Sequence, residues 1–129
     1  MGKEVGDEEM QNFKPVIAQQ LKNLSGVKQL GAGYPKDFAK MPTVTYSEND
    51  NSDAGYTSKE VVTDLEYQFD IWSKESTSSL ALQLDDLITP LGFRRAGSNE
   101  LVDTNTGLKH RIIRYRGRYD SIMERITQV

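Results

Sequence analysis

"KEVVTDLEYQFDIW", Lys59 to Trp72, is the stretch whose reading decides the fold. Val61, Thr63, Leu65, Tyr67, Phe69 and Ile71 recur at every second position, and Val62, Asp64, Glu66, Gln68 and Asp70 fill the gaps. Successive side chains of a strand point to opposite faces, so a period of two predicts a β-strand. One face is apolar and the other acidic. Such a strand lies in a sheet with one side on a core and the other toward water or a partner. Trp72 falls on the polar side at the strand end. It is either a cover over the sheet edge or a contact at an interface, where tryptophan is enriched.

Beyond Trp72 the chain reads "SKESTSS", Ser73 to Ser79. These hydroxyls make a turn and offer Ser76 and Thr77 as N-cap candidates for a helix at about 77–91. Leu80, Leu84, Leu87, Ile88 and Leu91 form its apolar stripe, widened by Ala81. Pro90 predicts an end or kink near Ile88, and Gly92 is a C-cap candidate. Two strands follow, with "TNTG" (Thr104 to Gly107) as the turn between them. In the second, Ile113, Tyr115 and Tyr119 share one side, and Ile112, Arg114, Arg116 and Arg118 the other.

Upstream, "TVTYSE" (Thr43 to Glu48) predicts a strand, and "NDNSDAG" (Asn49 to Gly55) a flexible polar loop closing a long hairpin. A short strand fits Val27 to Leu30, with the glycines at 31 and 33 in a turn. Phe13, Val16, Ile17, Leu21 and Leu24 predict a helix at about 12–25, capped by Asn12, with Pro15 in its first turn and Gly26 as its stop. Residues 1–11 read as a flexible acidic N-terminus, and residues 12–129 as a single domain. The fold class is therefore α+β, a mostly antiparallel sheet with two helices on one face, in the order α-β-β-β-α-β-β.

The length of 129 residues fits one core, and the net charge is −3. That charge argues against broad electrostatic binding to nucleic acid. The sequence contains no cysteine, which excludes disulfides, thiolate metal sites and cysteine nucleophiles. No apolar run approaches the roughly 20 residues that span a bilayer. The acidic "MGKEVGDEEMQ" is no signal peptide, and Gly6 stands where a myristoylation motif wants Ser or Thr. His110 is the sole histidine, beside Lys109 and Arg111, and reads as an ordinary strand residue. Asp85 and Asp86 point about 100° apart on their helix and cannot share a metal or a proton. "ENDNSD" (Glu48 to Asp53) lacks the central glycine and terminal glutamate of a calcium loop. No catalytic residue, cofactor or metal is expected.

The charged strand faces are the candidate interaction residues: Asp64, Glu66, Asp70 and Trp72 on one strand, Arg114, Arg116 and Arg118 on another. The two stripes pair within the subunit if the strands are neighbours, or between subunits if they are not. Alternatively the arginines contact phosphates, with Tyr115 and Tyr119 stacking on bases, as in a small nucleic-acid-binding α+β module.

The segments "YPKDFAKMPTVTYSENDN", "EYQFDIWSKESTSSLALQLDDLITPLGFRR" and "HRIIRYRGRYD" resemble the tail completion, or tail terminator, proteins of long-tailed bacteriophages and prophages. The likeness lies in a Pro before a "TY" strand, a "DIWS" strand end, a helix closing on "GF.R", and a basic last strand ending in Tyr-Asp. It covers residues 13–120. It implies a virion structural protein without catalysis or cofactor, assembled in the host cytoplasm as a ring, typically a hexamer. Such a ring caps the tail tube and joins it to the head completion or connector protein. The implied partners are further copies of itself, the tail tube protein and the head connector, with DNA only in passage and no membrane.

Overall fold

The computed structural model describes residues 12–56 and 61–128. The acidic segment 1–11 lies outside these residues. The first helix, α1 (Lys14–Leu21), is shorter than the apolar spacing predicts. Asn12 Oδ1 accepts from Lys14 N, but Phe13 holds the N-cap position. Beyond Leu21 the backbone tightens into i→i−3 bonds, Asn23 to Gln20 and Leu24 to Leu21, and Gly26 then turns at φ 82°. Residues 22–25 therefore form a turn rather than a last helical turn, because the Gln20 and Leu21 carbonyls take donors three residues on instead of four.

The short first strand, β1 (Gln29–Ala32), sits two residues later than expected and takes in a glycine read as part of a turn. Next come β2 (Thr43–Tyr56) and β3 (Val61–Ser73). The polar loop expected at Asn49 to Gly55 is instead the second half of β2. It pairs with β3 through two irregularities in register, between Glu48 and Asp50 and between Asp53 and Gly55. Low intrinsic strand preference is overridden by the regular partner alongside it, and the bulges absorb the mismatch. Then follow α2 (Ser78–Ile88), a 3-10 turn (Thr89–Leu91), β4 (Arg94–Val102), β5 (Lys109–Asp120) and a third C-terminal strand, β6 (Arg125–Thr127). The helix ends where Pro90 predicts. Gly92 closes it in the left-handed region at φ 112°.

The six-stranded sheet runs β1-β2-β3-β5-β4, with β6 beside the end of β5. Only β1 and β2 are parallel; the other pairs are antiparallel. The fold is α+β, as the sequence predicts, with one strand more. Leu65, Tyr67, Phe69 and Ile71 of β3 are buried with Ile113 and Tyr115 of β5 against Ile17 and Leu21 of α1 and Leu80, Leu84 and Ile88 of α2. Both helices thus cover one face. Edge-to-face ring pairs, Tyr67 with Phe93 and Phe69 with Tyr115, lock this core.

Two glycines decide how the C-terminus closes. A Cβ on Gly117 of β5 would stand 2.4 Å from Ile126 Cγ2, and one on Gly92 would stand 2.1 Å from the Ile126 carbonyl oxygen. β6 is seated in the room those two residues leave. Among the described residues, no helix is long and apolar enough to cross a membrane.

Candidate functional site

The sheet has a second face, opposite the helices, and the alternation in β3 and β5 places the charged stripes there together. The register sets Asp64 opposite Arg118, Glu66 opposite Arg116, Gln68 opposite Arg114 and Asp70 opposite Ile112. Arg118 Nε lies 2.8 Å from Asp64 Oδ1, and Arg116 Nε lies 2.6 Å from Glu66 Oε1. The guanidinium of Arg116 holds the Glu66 carboxyl below its ordinary range, with the Asn49 amide helping and burial opposing. The acids in turn raise both arginines. Two of the three arginines therefore pair within the subunit, and Arg114 faces Gln68 rather than an acid. Asn49 donates to both Glu66 and Gln68, which ties the second half of β2 into the same network.

Asp70 does something the stripe did not suggest. Its Oδ2 lies 2.6 Å from His110 Nε2. The His110 ring in turn stacks on Trp72, with centroids 3.6 Å apart and planes 14° apart. His110 looks like an ordinary strand residue in the sequence, because only the cross-strand register, Trp72 opposite His110, reveals the pair.

Trp72, on the charged face of the sheet, is itself covered. It is 4% accessible, because the loop between β1 and β2 folds over it. Tyr34 and Phe38 of that loop lie against its ring at 5.6 and 6.0 Å. Gln29 anchors the loop: its amide donates to Asp37 O and Thr43 Oγ1, and its Oε1 accepts from Asp37 N. Met41 and Leu108 complete a small second core around the indole. Its Nε1 has no hydrogen-bond partner among the described residues.

Beyond these rings the surface opens into a groove of about 600 Å³, with Tyr34, Phe38 and Trp72 on one side, Leu101 and Val102 on the other, and His110 between. The β4–β5 turn makes its far lip. Asp103 holds that turn, accepting from Asn105 N and Thr106 Oγ1, and Gly107 closes it at φ 74°. The outer face is therefore divided into an aromatic groove at the start of β5 and an ion-pair ladder at its end.

Other predicted residues are engaged elsewhere. Thr77 heads α2 without a side-chain capping bond. Its buried hydroxyl instead accepts from Arg111 Nε at 2.8 Å and donates to Glu100 Oε1. Ser76 and Ser73 stabilise the turn by accepting from Ser78 N and Glu75 N. Asp85 accepts from the Tyr115 hydroxyl at 2.9 Å and from Arg95. Burial, with the bond to Asp85, pushes the Tyr115 hydroxyl well above its ordinary range, and burial with Glu48 does the same for Tyr67. Tyr115 is fully buried, and Tyr119 packs on Phe13 at 5.1 Å. Tyr115 therefore cannot stack on bases, and the phosphate-facing charge of Arg116 and Arg118 is already offset.

No family model and no curated protein matches the chain. Among solved structures, the fold is similar to a chain from the virion of a native gene transfer agent particle. The TM-score is 0.57 at 12% sequence identity, over 79% of this chain and 90% of that one. At that identity the likeness is one of fold.

Proposed function

We propose that this chain is a virion structural protein of the tail-terminator type, one that forms a ring, typically of six copies, to cap the tail tube and join it to the head connector. The observation that carries the reading is the shared fold with a chain of a gene transfer agent virion across most of both lengths. The resemblance of residues 13–120 to tail completion proteins supports it independently. In this reading the protein works by contact and not by catalysis, and its partners are its own copies, the tail tube protein and the head connector, with DNA passing through. The pairing of Arg116 and Arg118 with acids suits such passage, because free guanidinium rows would retain phosphates.

The ion pairs alter what a test can use. Reversing Arg114, Arg116 and Arg118 to Glu would place like charges opposite Asp64 and Glu66 in the subunit's own sheet, and so would damage the fold along with any contact. Removal of the whole gene from a particle-producing strain is the cleaner experiment. Electron microscopy should then show heads separated from tails, with overlong tails, and joined particles on complementation. Normal joined particles without the protein would overturn the reading.

A further inference from the structure

The turn between β5 and β6 carries the apolar side chains of Ile122 and Met123, 58% and 48% exposed. It is nonetheless a fixed projection. The Asp120 carboxylate accepts from the backbone N–H of both residues, at 2.8 and 3.2 Å. Glu124 turns the chain at φ 52°, and Ile126 is seated over the two glycines. Two apolar side chains held outward on a braced turn make a preformed contact, with little ordering left to pay on binding.

The aromatic groove, where Tyr34 is 71% exposed, is an open apolar feature at some distance from that turn. Groove and turn lie at opposite ends of β5, from His110 to Asp120, roughly 33 Å apart at about 3.3 Å per residue. They cannot meet within one subunit. Their charges are complementary. Asp120 and Glu124 outnumber Arg125 around the turn, while Lys36 and Lys40 outnumber Asp37 in the loop that supplies Tyr34 and Phe38. Arg125, beyond the turn, has its counterpart in Asp103 on the opposite lip.

From this geometry we infer that the occupant of the groove is the Ile122–Met123 turn of a second copy of the chain. A contact between two different patches of the same molecule is head to tail, and repeats into a ring or a filament. The inference rests on the ring reading above and gives it a specific joint. Ile122 and Met123 supply the apolar insert, the Trp72–His110 stack the floor, and the lysines and Asp103 the polar rim.

The natural chain lacks cysteine, which permits a direct test. Met123→Cys and Leu101→Cys, both at exposed positions, are made in separate full-length chains, checked for native circular dichroism, and mixed under mild oxidation. The expected result is a disulfide-linked dimer in several-fold excess over that from either variant alone, and loss of that dimer when Ile122→Asp is added to the Met123→Cys chain. A mixture that gives no more dimer than the two variants separately overturns the contact. Rings seen by electron microscopy without the 123–101 cross-link also overturn it, while leaving the ring reading standing. The cross-link found together with normal joined particles in the gene deletion supports the contact and overturns the virion role.

Discussion

Gly117→Ala probes how β6, and with it the last turn, is held. A Cβ at this position would lie 2.4 Å from Ile126 Cγ2 and 2.9 Å from Phe93 Cδ1. Both are well inside the roughly 3.5–4.0 Å at which carbon atoms attract. Phe93 has no retreat, because its ring is fixed edge-on against Tyr67 at 5.8 Å. Ile126 can leave, since its strand has three residues and pairs on one side only. Overpacking of this kind costs about 1–3 kcal/mol. The alanine returns about 0.4–1 kcal/mol by restricting the unfolded chain. The net loss is on the order of 1–2 kcal/mol, a fall in Tm of roughly 3–8 °C for a domain of this size. Ile126→Ala alone, at a half-buried site, should cost about 1–2 kcal/mol. In the double variant the closest clash is gone, so the two losses should sum to about 1 kcal/mol less than additive. Urea and thermal unfolding followed by circular dichroism measure the cycle, and amide exchange in β6 locates it. Additivity within about 0.5 kcal/mol, or a Gly117→Ala chain as stable as wild type, would refute the argument that this glycine exists to admit Ile126.

Thr77→Val keeps the shape of a buried side chain but removes the hydroxyl between Arg111 and Glu100, which retain their own 3.6 Å ion pair, and should cost about 1 kcal/mol in denaturant unfolding, where Ser76→Ala costs far less. Glu66 has a folded pKa below its ordinary value of 4.5. Its contribution is therefore complete above that value and lost as pH falls through the folded one, so Glu66→Gln should flatten the acid limb of a stability–pH curve and leave the limb near neutrality unchanged in slope. Tyr67 and Tyr115 are shifted upward from 10.0, so their contribution is complete below that pH and drains away as pH rises above it. Tyr115→Phe should make alkaline unfolding shallower in a spectrophotometric titration. Exchanging the charges of one rung, with Asp64→Arg and Arg118→Asp together, should restore much of the stability that either change removes, and the difference should shrink in high salt.

The alternation from Val61 to Ile71 made the central strand, its core face and the helix-covered side legible in the sequence, because burial on one face imposes a period that survives without knowledge of the partner strand. The Pro90 break and the Thr104–Gly107 turn were legible for a similar reason: each depends on residues within a few positions. What stayed hidden depends on register. Nothing local tells that Trp72 faces His110, that Asp70 meets His110 and not an arginine, or that Tyr34 and Phe38 fold back over the indole. The second half of β2 misled for the same cause, since Asn, Asp and Ser favour loops in isolation and enter a strand here only because β3 runs beside them. β6 escaped notice because three residues carry too little pattern, and its signal lay in the distant glycine of β5 that makes room for it. Three of the candidate interaction residues, Asp64, Glu66 and Asp70, were legible as a charged face, but only the sheet order shows that they serve arginines and a histidine of the same chain.

The position of β5 has a consequence for how the chain reaches this sheet. It is an interior strand, yet it is among the last parts to be synthesised, after β2, β3, α2 and β4 have already emerged. Until it arrives, β3 presents an open edge of the kind that recruits foreign strands. Asp64, Glu66 and Asp70 sit on that edge strand as unneutralised acids, and two nascent copies laid side by side would bring like charges together. The arginines and histidine that cancel them come with the strand that closes the gap. The acidic stripe is thus a temporary guard against aggregation, and it is disarmed by the same segment that makes it unnecessary.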